Sequence, residues 1–116
     1  MSDKSYNGWT NYETWNLAFW MDNDEGSYAY AREQAREAIK NARESGPDDT
    51  PKENRREAEF LLEVYLRSEW YEAMPDLGVS VWADLLGSAF ENVNFREIAE
   101  HLISEIWDDL DNAGEK

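Results

Sequence analysis

Thr50-Pro51-Lys52-Glu53-Asn54-Arg55-Arg56-Glu57-Ala58-Glu59-Phe60-Leu61-Leu62 is the stretch that sets the class of fold. The first backbone N–H groups of a helix have no partner within it, and Thr50 with Glu53 three residues on forms a reciprocal capping box. Pro51 falls at the first helical position, where a missing N–H costs nothing. From there Ala58, Leu61, Leu62, Tyr65, Leu66, Trp70 and Ala73 recur at spacings of three and four, which is one face of a helix. Pro75 ends it.

The same pattern extends in both directions. Upstream, Tyr28, Ala31, Ala35, Ala38, Ile39 and Ala42 predict a helix from near Ser27 to the stop at Gly46-Pro47, with alanines small enough to let a neighbour approach closely. Downstream, Ser80 opens a shorter helix carrying Trp82, Leu85, Leu86 and Phe90, weakened by Gly87 at a cost of about 1 kcal/mol. Asn94 and Glu97 open the last, whose core face is Ile98, Leu102, Ile103, Ile106 and Leu110. Near the start, Thr10 and Glu13 stand at capping-box spacing before a helix running to about Met21, broken by Asp22-Asn23-Asp24-Glu25-Gly26. No strand pattern competes. The expected fold is all-α, a single-domain bundle of four or five helices over residues 1–116, with 1–9 and 113–116 frayed.

Charge narrows the partners. The net charge is −15, and residues 57–116 hold fifteen acids against three bases. Such a field repels nucleic acids and anionic membranes and favours basic proteins. Without cysteine there is no disulfide or thiolate chemistry, and no apolar run has the length of a membrane span. One histidine, His101, builds neither a catalytic dyad nor an ordinary zinc site, and surface pairing with Glu97 and Glu105 is its expected role. Neither a catalytic residue, a cofactor nor a metal is expected.

The run Asn7-Gly8-Trp9-Thr10-Asn11-Tyr12-Glu13-Thr14-Trp15-Asn16-Leu17 resembles the signature of an uncharacterised family of small phage and mobile-element proteins, which carries Gly-Trp-x-Asn-Tyr-Glu-Thr-Trp near its N-terminus. The resemblance covers about the first 25 residues and implies a phage or mobile-element origin, hence the cytoplasm of a host cell. It implies no fold, ligand or catalytic residue.

Six aromatics fall between Tyr6 and Trp20, with no lysine or arginine from Lys4 to Arg32, so a base-stacking platform with its basic groove is not expected. Trp9, Tyr12, Trp15 and Phe19 share one face and are expected to be core. Tyr6 and Trp20 lie off that stripe and are the candidate aromatic contacts. The candidate protein-binding acids are Glu59, Glu63, Glu69, Glu72 and Asp76 on the third helix. On the fifth they are Glu97, Glu100, Glu105, Asp108, Asp109 and Asp111. Carboxylates four apart sit about 6 Å apart along a helix and can imitate phosphates. Hence the leading expectation is an acidic DNA mimic that binds a basic or nucleic-acid-binding protein of host or phage, as an inhibitor of a defence nuclease. The alternative is an interaction or assembly module whose acidity serves only solubility.

A magnesium-dependent nucleotide hydrolase is a distant third. It would use Glu69-x-x-Glu72 and Glu105-x-x-Asp108, yet the chain's acids at this density give about six pairs three apart by chance, and it has five. The basic stripe Arg32, Arg36, Lys40 and Arg43 should meet acids within the fold. Docking it on a second copy would instead make a homodimer.

Overall fold

The computed structural model describes residues 6–114, with side chains through Leu110. Five helices follow in order: α1 (Tyr12–Asn23), α2 (Glu25–Ser45), α3 (Pro51–Ala73), α4 (Val81–Asn92) and α5 (Phe95–Gly114). The fold is a small all-α bundle. No strand occurs among the described residues, where Tyr6 and Trp9 form an isolated bridge.

α2, α3 and α5 pack on one another, and α1 lies across α2 and α5. The core comprises Ala31, Ala35, Ile39 and Ala42 of α2, Ala58, Leu62 and Leu66 of α3, and Phe95, Ile98, Leu102, Ile103 and Ile106 of α5. The α2 alanines are nearly or completely buried, so the close approach they permit is used. Each helix start has a local cause. Thr50 and Glu53 form the reciprocal box on α3, Ser80 Oγ accepts from Ala83 N–H, and Asn94 Oδ1 accepts from Glu97 N–H. Gly46 ends α2 as anticipated. Asn54 of α3 is buried there and, with its amide nitrogen turned toward α2, donates to the carbonyls of Ala42 and Gly46 at 3.3 Å. On the predicted α3 face, Leu61, Tyr65 and Trp70 are half-buried and Ala73 is exposed; Tyr28 is likewise exposed on α2.

Two expectations for the N-terminal segment are corrected. First, Asn11 caps α1 in place of Thr10: its Oδ1 accepts from Thr14 N–H at 2.9 Å. The backbone N–H of Thr10 is committed elsewhere, to the Glu97 carboxylate at 3.0 Å. Second, the aromatic stripe is not the core face of α1, although Trp9 just before the helix is partly buried against the core as expected. α1 turns Thr14, Ala18 and Met21 inward, a set of small or flexible side chains that suits close docking on α2 and α5. Tyr12 and Phe19 stay about half exposed. The rings pack on each other instead, from Tyr6 to Trp15 at 5.2 Å and from Trp15 to Phe19 at 5.3 Å between centroids.

Residues 6–9 are organised rather than frayed. Asn7 (φ 48°) and Gly8 (φ 88°) form the centre of a tight turn closed by Tyr6 N–H to Trp9 C=O at 2.9 Å and its reciprocal at 2.7 Å. Positive φ at both central positions is what an Asn-Gly pair tolerates best. α5 runs to Gly114, and the remaining predicted end residues 1–5 and 115–116 lie outside the described residues.

Candidate functional site

The Asn7–Leu17 run is explained first by structure. Thr14 is completely buried; its hydroxyl donates to Asn11 Oδ1 at 2.6 Å and accepts from Asn94 N–H at 2.8 Å. Asn11 Nδ2 donates to Asn92 C=O at 2.7 Å. Trp9 stacks on His101 with centroids 4.2 Å apart. The Thr14–Asn94 and Asn11–Asn92 bonds join residues about eighty positions apart and, with the Trp9–His101 stack, fasten the start of α1 to α5 and the α4–α5 junction. Outside this knot, Trp15 packs on Tyr6, Tyr12 and Phe19, and Tyr12 and Glu13 face a groove.

They line an open groove of about 380 Å³ between α1 and α4. Tyr12, Asn16 and Trp20 form its α1 wall at spacings of four; Leu86, Ala89 and Phe90 form the α4 wall; Trp70, Met74 and Val93 lie between. Trp82 stands four and seven residues before Leu86 and Ala89, so it continues the α4 wall by one turn. It is 66% exposed, and Val81 and Leu85 beside it are 61% and 56% exposed. At 3.6 residues per turn the apolar residues of α4 span roughly 200° of its circumference. That is about twice the width of the stripe a core-facing helix needs. None of α4's residues is buried.

The predicted acids separate into two groups. Glu97 is 2% exposed, so its placement on an accessible surface is corrected: the fold uses the carboxylate internally, as acceptor for Thr10 N–H. Glu63 Oε1 accepts from Arg96 at 3.0 Å and lies 3.9 Å from Arg67, Glu100 is 3.5 Å from Arg96 Nε, and Glu59 is 3.7 Å from Arg55. Arg96 Nε is buried at that distance without hydrogen-bond geometry toward Glu100. Glu105 accepts from Arg32 at 2.7 and 3.1 Å. Glu72, Asp76, Asp108 and Asp109 are exposed, and Asp76 bonds to Gly78 N–H. Glu69, also exposed, accepts from the Tyr30 hydroxyl, which in turn accepts from Tyr65. The Asp111 side chain lies outside the described residues. Of the predicted aromatic contacts, Trp20 is 60% exposed on the groove wall, while Tyr6 packs on Tyr12 and Trp15.

Charge within the fold follows from these pairings. Arg32 is almost buried, and burial works against its cation; the Glu105 bond, with the charges of Glu105 and Asp22, more than offsets this and holds the guanidinium above its ordinary value. It also lies 3.7 Å from the Tyr28 ring centroid. Burial, reinforced by Glu100, pushes the Glu59 carboxyl up against the pull of Arg96, Arg55 and Arg56. The hydrogen bond to Tyr30 holds the Tyr65 proton, pushing that phenol up to about 12. From the basic stripe, Arg36 lies 3.8 Å from Glu33, and Arg43 sits over Trp107 at 4.4 Å. Among the described residues, no three histidine or acidic side chains gather as a metal site, and no helix is long and apolar enough to cross a membrane.

Residues 2–49 match a family of unknown function, DUF7249. The match takes in the turn, the aromatic ladder, α1 and α2, and ends in the loop before α3. No curated protein and no solved structure matches the chain. The matched segment supplies only one wall of the groove; α3 and α4 supply the rest.

Proposed function

We propose that this chain is a small protein-binding module, encoded by a phage or mobile element, that acts through the α1–α4 groove and not by catalysis of its own. The carrying observation is α4, a helix with a wide apolar stripe and no buried residue. The signature at Gly8–Trp15 supports the origin. Half- to two-thirds-exposed aromatics such as Tyr12, Trp20, Tyr71 and Trp82 leave on the order of 100 Å² each. Val79, Val81 and Leu85 are exposed on and just before α4, and Tyr71 lines a second hollow that shares Phe90 with the groove, so apolar surface continues beyond the groove itself. Contiguous exposed apolar surface on a small chain marks interaction sites.

Phosphate mimicry, the leading expectation from charge, receives less support. Glu59, Glu63, Glu97, Glu100 and Glu105 are engaged inside the fold, which thins the row of carboxylates a basic nucleic-acid site would meet. The test is affinity capture from host lysate with the native chain and with Trp82→Ser/Leu85→Ser, at two salt concentrations. The variant should keep its helical signal and lose the partner. A partner retained by the variant and displaced by duplex DNA would replace the groove with mimicry.

A further inference from the structure

We infer that the occupant of the α1–α4 groove is an amphipathic helix of another protein whose apolar face is flanked by lysine and arginine. This rests on the groove being the binding surface. Two helical walls about an apolar floor are the geometry in which a helix is read by anchors at i, i+3, i+4 and i+7. Trp20 on the α1 wall offers one large anchoring contact, and exposed Trp82, one helical turn before Leu86, offers another just beyond the end of the α4 wall.

The charge of the occupant follows from where the cations of this chain are. Every residue of the groove comes from residues 5–31 or 68–95. The first of these segments contains four acids and the second five, and neither contains a lysine or arginine. Glu13 lines the groove itself, and Glu72 and Asp76 flank Met74, all on the same cation-free segments. Meanwhile Arg32, Arg55 and Arg96 are turned to acids within the fold, and Arg67, 3.9 Å from Glu63, lines a neighbouring hollow that shares Phe90 with the groove but does not line the groove itself. An apolar site with an anionic surround selects a helix with cationic flanks, both by steering and by the absence of like-charge contact. The same feature argues against a second copy. Two grooves meeting face to face would oppose two cation-free acidic surfaces, each on a chain of net charge −15.

A displayed library of amphipathic helical peptides, with the flanking positions randomised, tests this against the full chain. Enriched peptides should carry Lys or Arg in the flanks, bind Trp82→Ser/Leu85→Ser at least tenfold more weakly, and lose at least tenfold in affinity between low and high salt. Groove-dependent peptides with neutral or acidic flanks would overturn the cationic occupant while leaving the groove intact. Peptides that bind the variant as well as the native chain would overturn the groove as the site. Sedimentation of the native chain as a dimer that Trp82→Ser dissociates would assign the groove to a second copy instead.

Discussion

Arg32 and Glu105 allow the bundle's electrostatics to be tested asymmetrically. The pair is bidentate, at 2.7 and 3.1 Å, but its members are unequally placed: the Arg32 side chain is 10% exposed and that of Glu105 46%. Arg32→Met removes the buried cation, fills much of the same space, and leaves a carboxylate that water can reach. Glu105→Ala leaves a buried guanidinium with Asp22 at 3.3 Å and Tyr28 C=O at 3.4 Å as its remaining oxygen partners. Stranding a buried charge costs about 3–5 kcal/mol, and the nearby Asp22 places this case at the lower end, about 3. Arg32→Met should cost about 1.5, the loss of charge-assisted hydrogen bonds discounted by the hydration regained at Glu105. The double variant should fall about 2 kcal/mol short of additivity. For a chain of this length 3 kcal/mol corresponds to a fall of roughly 12 °C in Tm. Urea melts followed by far-UV circular dichroism on all four proteins supply the cycle. Should Arg32→Met prove the more damaging single change, or the coupling fall below about 0.5 kcal/mol, burial would not be what sets the strength of this pair.

Three further outcomes are expected. A Cβ added at Gly87 meets open space, so Gly87→Ala should stabilise α4 by about 0.5–1 kcal/mol, read as a higher urea midpoint at unchanged slope. Thr14→Val keeps the shape of a fully buried side chain but removes the acceptor for Asn94 N–H. A loss of about 2 kcal/mol should appear in the same melts, and an unchanged midpoint would dismiss the α1 knot as a stabilising element. The Glu59 carboxyl is raised above its ordinary 4.5, so the folded state holds that proton longer than the unfolded one and stability falls as pH rises through a window that begins near 4.5. Glu59→Gln should therefore match or exceed the native protein at pH 7 and lose that advantage below pH 4.5; an advantage growing toward acid would reverse the sign.

The elements were legible where their signals are local. The Thr50–Glu53 box, the Gly46 stop and the Ser80 and Asn94 caps depend on neighbours within four residues, and each operates as read. Thr10 misled because it and Asn11 are both good caps, and the choice is made by Glu97, far along the chain. Periodicity put Tyr12, Trp15 and Phe19 on one face but could not say which face points inward; the small side chains of α2 and α1 decided that by docking closely through Thr14 and Ala18. The acidic candidates were chosen by charge and spacing, neither of which reveals that Arg96 reaches Glu63 or that Arg32 reaches Glu105. A readable pointer to the groove was nonetheless present. α4 carries an apolar stripe about twice the usual width, and it lies in the long cation-free run between Arg67 and Arg96.

Asp24 has a consequence for how this chain can change in length. A single residue separates α1 from α2: its N–H bonds to Trp20 C=O at 3.0 Å, closing one helix, and its carboxylate accepts from Ser27 N–H at 3.0 Å, opening the next. One inserted residue would stop Asp24 from closing α1 and opening α2 at once, and would shift α1 against α2 at the joint that sets how Thr14, Ala18 and Met21 face the interior. Insertions and deletions among relatives should therefore avoid this joint and collect at residues 46–50 and 74–80, where connections between helices have slack.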